Sequence, residues 1–344
     1  MVVYTIGLAS IHDFAPADMR LLNVYFLLVG LLVVPKMMFA LCTAIGTCIC
    51  RLRHGHKNYG ILVGALLVMY LWYVLIYGIT IGPRELVVKH KDLYFKDLPA
   101  KFDGYKITQF SDIHVGTYLY LNKHFPERVV DSIMAQHSDM IAFTGDIQNL
   151  QPKELDAFVG LLGRLKAPDG VYSILGNHDY SEYVKASQKD KLLLEKQTQE
   201  AEKRMRWNLL MNENRIIRHG NDSIVIAGTE NDGQPPFTCR ANYAKTLKGI
   251  SDSAFVVMLQ HDPSAWTRNI LTKTNVQLTL SGHTHGGQVS LFGLRPTHIR
   301  LNEDLGLYMR NGRMLNVSAG VGGLVPFRYG VTPEIVVITL HKIK

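Results

Sequence analysis

The chain has 344 residues, which is long for one typical domain and about right for a membrane part plus one further domain. Its net charge of +8 is compatible with a nucleic acid, an anionic lipid or a phosphorylated molecule as partner. No cluster of Lys and Arg is dense enough to favour one of these partners. The simplest interpretation is a solvated basic surface beside an anionic bilayer. Cys42, Cys48 and Cys50 lie in an apolar region and Cys239 stands alone, which excludes a disulfide framework and a cysteine-based zinc site.

Two long apolar runs occupy residues 1–82. Residues 24–50 are interrupted only by Pro35 and Lys36, and residues 59–81 carry no charge at all. Roughly 20 helical residues cross a hydrocarbon core of about 30 Å, so each run predicts a transmembrane helix. Pro35 predicts a kink in the first run, or marks the run as the remnant of a longer multi-span region.

The segment between the two runs predicts an orientation. Residues 51–57 contain three Lys or Arg, and the positive-inside rule places such a loop in the cytoplasm. Both termini would then lie outside, giving a multi-pass protein of the cell (inner) membrane with an extracytoplasmic domain. Arg84, Lys89 and Lys91 flank the other end of the second run and weaken the contrast.

Residues 83–344 alternate short β-branched runs with helix-like segments, as in a layered α/β domain. The strands are predicted at residues 105–110, 140–144, 171–175, 224–227, 255–259, 276–280, 314–317 and 335–340. Helices are predicted at residues 122–137, 153–165 and 182–212, the last rich in Lys, Glu and Gln and therefore facing solvent.

Five polar clusters follow predicted strands, at the point where each strand ends. Their chemically useful members are Asp112, His114, Asp146, Asn177, His178, Asp179, His261, His283 and His285. In open α/β sheets, ligands bind outside the carboxyl ends of the strands, so we expect these side chains to converge.

The side chains in these clusters are oxygen and nitrogen donors, a set that suits Mn, Fe, Zn or similar ions. Each short motif alone has an ordinary structural explanation, but five in order after five apolar runs are hard to attribute to chance. Gly145 and Gly282 leave room for the backbone to approach the cluster closely.

The ordered series Asp112-x-His114, Gly145-Asp146-x-x-Asn149, Gly176-Asn177-His178-Asp179, His261 and Gly282-His283-x-His285 resembles the calcineurin-like metallophosphoesterase family. The sequence around His114 and His285, behind an N-terminal membrane segment, is similar to that of the bacterial membrane-associated phosphodiesterase branch of the family. The resemblance spans about residues 86–344. It implies a four-layer α-β-β-α sandwich with two divalent metal ions on its rim, Mn first, with Fe, Zn or Mg as alternatives.

The resemblance also implies a role for each residue. Asp112, His114 and His285 would hold one metal, and Asn177, His261 and His283 the other, while Asp146 would bridge both. His178 would donate a proton to the leaving alcohol, and Asp179 would orient His178.

Three functions fit this pattern. The leading one is hydrolysis of a phosphodiester or pyrophosphate near the membrane, with a phosphorylated small molecule or a lipid-linked headgroup as substrate. A narrower one is the pyrophosphate hydrolysis of a UDP-diacylglucosamine-type substrate in lipid A assembly, which needs a cytoplasmic site. The third is a metal-binding scaffold without turnover. No aromatic and basic strip indicates nucleic acid as a partner.

The residues after the last histidines are less informative. Gln288, Arg295 and Arg328 are each either phosphate-binding or ordinary surface residues, and Asn149 is expected to hold the Asp146 loop in place. The glycine-rich segment 320–323 is interpreted as a turn, because no helix start or following lysine accompanies it.

Overall fold

The computed structural model of the chain describes Thr5, residues 20–119, Asn122 and residues 124–343. Parts of the predicted membrane region, and residue 123 of the predicted helix 122–137, lie outside the described residues. Two compact units divide the chain, Met1–Gly82 and Pro83–Lys344.

The first unit contains two long apolar helical segments. The first consists of α1 (Arg20–Leu28), a π-helical turn (Val29–Val33) and α2 (Val34–Leu52), and the second is α3 (Tyr59–Thr80). By length and composition, Leu21–Leu52 and Tyr59–Arg84 are each able to cross a membrane. The π-turn lies just before Pro35, which has no amide hydrogen to give to the Leu31 carbonyl. That carbonyl instead accepts from the Trp72 indole at 3.1 Å.

Small residues allow α2 and α3 to pack closely. A Cβ at Gly46 would lie 2.6 Å from the Gly60 Cα, and one at Gly64 would lie 3.1 Å from the Cys42 Cβ. Gly60 and Gly64 form the small-xxx-small spacing of close transmembrane helix pairs. The Asn58 amide then ties the helices together, donating to the Thr47 hydroxyl at 2.8 Å.

The second unit contains two six-stranded sheets. In spatial order the first consists of β1 (Val87–Phe95), β12 (Glu334–Lys342), β2 (Lys106–Phe110), β3 (Met140–Phe143), β4 (Val171–Ser173) and β5 (Asn208–Leu209). The second consists of β10 (Gly306–Arg310), β11 (Arg313–Val317), β9 (Leu278–Ser281), β8 (Val256–Leu259), β7 (Asp222–Gly228) and β6 (Glu213–His219). β2 to β5 are parallel, as are β7, β8, β9 and β11, so their carboxyl ends share one edge in each sheet.

Short helices cover the outer faces of the sheets. They are α4 (His124–Met134), α5 (Val159–Leu162), α6 (Gln188–Arg204), α7 (Tyr243–Thr246) and α8 (Leu271–Lys273), with a π-turn at Trp266–Ile270. Elsewhere the chain forms 3₁₀ turns at Gly82–Arg84, Ala100–Phe102, Val115–Leu119, Pro152–Ala157, His285–Gly287 and Pro296–Ile299.

Strand alternation sorts the core into layers. Ala142 and Val257 point between the two sheets, whereas Phe143 joins the core under α4 to α6 and Met258 joins the core around Trp266. Successive strand residues face opposite sides of a sheet, so each sheet contributes to two apolar layers. The four-layer α-β-β-α arrangement predicted from the sequence is confirmed.

Several element boundaries were predicted wrongly. The predicted helix 182–212 ends at Arg204, and its last residues form β5, because Trp207 and Leu210 turn into the core. Helix 153–165 is a 3₁₀ turn followed by the short α5. Strands β1, β6 and β10 were not predicted; they lie at sheet edges, where polar residues are common and the apolar signal is weak.

Candidate metal centre

The loops after β2, β3, β4, β8 and β9 meet at one rim of the sandwich. They bring the predicted ligand side chains into two mostly buried groups whose donor atoms lie within 4.8 Å of one another: Asp112, His114 and His285 in one, and Asp146, His261 and His283 in the other. By the same distance, His178 groups with His114 and Asp146. Asn177 adjoins the second group, with its Oδ1 3.2 Å from the His261 Nε2. All seven predicted metal ligands therefore lie together.

Asp146 belongs to both groups by distance. Its Oδ2 is 3.6 Å from the His114 Nε2 and 3.2 Å from the His261 Nε2. Its other oxygen accepts the His178 backbone N–H at 2.9 Å. One carboxylate oxygen thus faces both donor sets while the second fixes the orientation of the side chain.

Backbone carbonyls hold the histidines in place. The His114 Nδ1 is 3.1 Å from the Gln148 carbonyl, and the His261 Nδ1 is 2.7 Å from the Thr144 carbonyl. An Nδ1–H that donates to a carbonyl leaves Nε2 free to bind a metal. The His114 Nε2 is buried without a hydrogen-bond partner among the described residues. The donor chemistry and this unpaired nitrogen fit a divalent cation.

The backbone at these ligands is unusual. φ is positive at Asp112, His114, Asp146, His283 and His285, with values of 53°, 46°, 61°, 73° and 52°. Non-glycine residues rarely adopt the left-handed region, and such residues cluster at functional sites. The strand-end turns are therefore held in conformations that local sequence preference does not favour.

Burial and mutual proximity shift the pKa values of these groups. Burial lowers the pKa of His114 to about 3 and raises that of Asp112 to about 7. Burial acts against protonation of His261 as well, but the Asp146 carboxylate outweighs it and raises the pKa to about 10. Burial also opposes ionisation of Asp146, yet the facing His261 and His178 hold its pKa well below the usual range.

His178 lies beside the first ligand group and is partly open to solvent. Its ring meets the His114 ring edge-on at a centroid distance of 4.9 Å, and its Nδ1 is 2.6 Å from the Asn149 carbonyl. The Asn149 contact fixes the orientation of the ring, and one ring nitrogen lies within 4.8 Å of donor atoms of His114 and Asp146.

The contact predicted between Asp179 and the His178 ring does not form in the described structure. The buried Asp179 carboxylate instead accepts four backbone N–H bonds, from Gly176, Asp146, Ile147 and Gln148, at 2.8 to 3.2 Å. Sequence adjacency was misleading here, because the chain turns between the two residues. Asp179 joins the β3 and β4 loops and so positions Asp146.

The three candidate phosphate-binding residues form hydrogen bonds or ion pairs with other parts of the protein. Arg328 is 2% exposed and donates to the backbone carbonyls of His285 and Gly322. Arg295 forms a two-pronged ion pair with Asp304 at 2.7 and 2.9 Å, and the Gln288 side-chain N–H donates to two carbonyls at 3.0 Å.

Two other segments support the ligand loops. The Asn149 side chain lies 3.0 Å from the Thr117 hydroxyl, and its backbone N–H donates to Glu154 at 2.6 Å, so that Glu154 braces the Asp146 loop. In the segment 320–323, a Cβ at Gly320 would lie 2.7 Å from the Asp112 Cβ. This close approach leaves room only for glycine at position 320. Interpreting the segment as a plain turn did not identify this contact.

Sequence reasoning also missed three polar or aromatic neighbours of the site. Phe237 packs edge-on against the His283 ring at 4.8 Å, and the Tyr183 hydroxyl accepts from the Asn177 amide at 2.8 Å. Thr284 donates to the Asp304 carbonyl. Thr284 is the unspecified position of the Gly282-His283-x-His285 motif, whereas Phe237 and Tyr183 lie in no recognisable motif, so only the folded structure could identify those two.

This rim defines the class. Residues 105–287 match the family model of the calcineurin-like phosphoesterases, a range that includes every predicted ligand, and the chain belongs to that family. It is therefore a metal-dependent phosphoesterase hydrolase, and the family and fold imply divalent metal ions and a phosphorylated substrate.

Curated relatives carry the same domain. The chain is 32% identical to the uncharacterized metallophosphoesterase YkuE of Bacillus subtilis (strain 168) over 71% of this chain and 82% of that protein. It is 27% identical to the transmembrane protein with metallophosphoesterase domain of Danio rerio, over 78% of this chain and 60% of that protein. Among solved structures, the phosphopantetheinyl hydrolase PptH of Mycobacterium tuberculosis aligns at 13% identity with a TM-score of 0.41, covering 65% of this chain and 96% of that one.

Proposed function

We propose that this chain is a membrane-anchored phosphoesterase that uses two metal ions to hydrolyse a phosphodiester or pyrophosphate, with a lipid or lipid-linked molecule as substrate. The observation that supports two metals most directly is Asp146. Its Oδ2 lies between donors of both ligand groups, at 3.6 Å from His114 and 3.2 Å from His261. Two cations in adjacent sites need a shared anionic ligand to offset their repulsion.

Asp112, His114 and His285 would hold one ion, and Asn177, His261 and His283 the other. Bound there, a pair of divalent ions such as Mn²⁺ would supply a water nucleophile at neutral pH and offset negative charge on the phosphoryl oxygens. The His178 imidazole donates a proton to the departing oxygen, a general-acid role that histidine fills most often. Asn149 orients that imidazole through its carbonyl, and no covalent intermediate on the protein is needed.

The anchoring part of the proposal is supported by the first unit. Leu21–Leu52 and Tyr59–Arg84 have the length and apolarity to cross a membrane, and a relative in Danio rerio is named as a transmembrane protein. The basic residues 51–57 support an inner-membrane protein with the metal centre on the extracytoplasmic side. A substrate embedded in the bilayer is then the most accessible phosphoester.

The test uses the full chain purified in detergent with Mn²⁺ and a panel of phosphomonoesters, phosphodiesters and nucleotide-sugar lipids. Asp146→Asn should abolish hydrolysis, because an amide cannot bridge two cations as an anion. The control is Asp131→Asn, an exposed carboxylate that is ion-paired with Arg164. Full activity of Asp146→Asn would refute the shared-ligand assignment.

A topology reporter fused to the C-terminus distinguishes a lipid-linked substrate outside the cytoplasm from the UDP-diacylglucosamine-type substrate. The pyrophosphate of a nucleotide-linked acylated sugar is available in the cytoplasm, so a reporter active only outside the cytoplasm would exclude that substrate.

A further inference from the structure

The segment that follows the ligand histidines exposes large apolar side chains. We call residues 289–301 the apolar loop. In it Phe292, Ile299 and Leu294 are 93%, 87% and 77% exposed, more than any other large apolar side chain described in the second unit. A single exposed apolar residue is ordinary, but a cluster of large ones marks an interaction surface.

The apolar loop is fastened at its base to the ligand segment. The Ser290 N–H donates to the Tyr329 carbonyl at 2.7 Å. Asp304, which is fully buried, accepts two bonds from Arg295 and one from the Thr297 hydroxyl at 2.9 Å. The Asp304 carbonyl also accepts from Thr284, the residue between His283 and His285. The exposed side chains are therefore presented on a supported scaffold, and their position is coupled to that of the metal ligands.

The charge of the apolar loop indicates what covers it. The loop contains Arg295, His298 and Arg300 and no acidic residue. Asp304 neutralises Arg295, whereas Arg300 has no carboxylate partner in the part of the chain that the structure describes. Exposed apolar side chains next to a cation match the interface of a bilayer that contains anionic lipid.

We propose that the apolar loop inserts into the interface of an anionic bilayer and so brings the metal centre to the phosphoester of a lipid. The membrane helices of the same chain keep a bilayer at high effective concentration around the loop. The docking rests on the exposure and charge of the loop and on the two candidate membrane helices of the chain. Only the identity of the substrate rests on the proposed function.

The first test follows the loop tip directly. The full chain carrying Phe292→Trp is reconstituted into vesicles of equal parts phosphatidylcholine and phosphatidylglycerol, with or without bromine on the phosphatidylcholine acyl chains. The signal is the emission added to that of the native Trp72, Trp207 and Trp266. We expect the emission of the indole introduced at position 292 to shift to shorter wavelength and to be mostly quenched by bromine.

The matched control is Ile216→Trp. Ile216 is also an exposed apolar residue, on β6, at the edge of the second sheet opposite to β10. The emission added at this position should not respond to bromine. Equal quenching at both positions, or no quenching at position 292, would overturn the proposal. A blue shift without quenching would do the same, since it would mean that protein covers the loop.

The second test separates docking from catalysis. In Phe292→Ser/Leu294→Ser/Ile299→Ser, rates on p-nitrophenyl hexadecyl phosphate in vesicles and on water-soluble p-nitrophenyl methyl phosphate are compared. We expect the ratio of the two to fall at least roughly ten-fold, since the burial of even one of the three large apolar side chains contributes about that factor. Equal loss on both substrates would contradict docking. A parent protein that hydrolyses neither ester would refute the proposed function, while the bromine result would still decide whether the loop docks.

Discussion

Replacing Asp179 by Asn separates a structural role from a catalytic one. Each carboxylate oxygen of Asp179 accepts two backbone N–H bonds, Oδ1 from Ile147 and Gln148 and Oδ2 from Asp146 and Gly176. Asn retains one oxygen and presents an NH₂ group to the other two donors. Leaving a buried N–H unsatisfied costs about 1–3 kcal/mol, so the variant should lose roughly 2–6 kcal/mol of folding free energy.

That loss is a large part of the 5–15 kcal/mol that stabilises a typical domain. At about 2–4 °C per kcal/mol for a domain of this size, the melting temperature should fall by roughly 4–24 °C. The assay is thermal unfolding of the full chain in detergent, followed by the emission of the buried Trp207 and Trp266, with Asp131→Asn as the control. If Asp179→Asn lowered kcat with an unchanged melting temperature, Asp179 would act on His178 and the reasoning would be wrong.

Three further predictions follow from burial and packing. The Asp146 carboxylate raises the pKa of His261 to about 10, so metal binding must release the His261 proton. Mn²⁺ affinity should therefore rise between pH 6 and about 9, and calorimetry in buffers of different ionisation enthalpy should detect the released proton. Burial raises the pKa of Glu202 well above its usual value, so the protonated side chain stabilises the fold fully below about pH 4.3, and this stabilisation is lost as the pH rises. Glu202→Gln should therefore flatten the dependence of melting temperature on pH. The control Glu200→Gln, at an exposed position, should not. A Cβ at Gly60 would lie 2.8 Å from the Gly46 Cα, so Gly60→Leu should separate α2 and α3 and alter the emission of Trp72. The control Ile61→Leu, on the exposed side of α3, should leave that emission unchanged.

The metal centre was predictable because its residues are local to strand ends. Asp112 and His114 directly follow β2, and His283 and His285 follow β9. Parallel pairing gathers the strand ends within each sheet, and the packing of the two sheets brings both edges to one rim. The family resemblance then distributed the ligands into two groups. The donor distances are compatible with those groups but also place His178 with His114 and Asp146, so the distribution stays a prediction.

The neighbours of the centre were not predictable in the same way. Asp179 is adjacent to His178 in sequence, yet its partners are backbone amides, which carry no sequence signal. Phe237 reaches His283 from a different loop, and the exposure of Phe292 depends on which surface the fold leaves uncovered. Edge strands such as β6 were missed because their pairing is decided by the neighbouring strand β7, with which β6 forms a hairpin, and not by their own apolar content.

The positive φ angles connect the fold to the function. Five of the seven predicted ligands adopt the left-handed region, at roughly 1–2 kcal/mol for each non-glycine residue, so together they cost an amount comparable with the stability of a domain. The four amide bonds to Asp179 and the close packing of Gly320 against Asp112 offset that cost by fixing the loops from behind. Supports of this kind hold the donor atoms of the loops in position. Substitutions at Asp179 or Gly320 should therefore weaken metal binding even though neither residue is a predicted ligand.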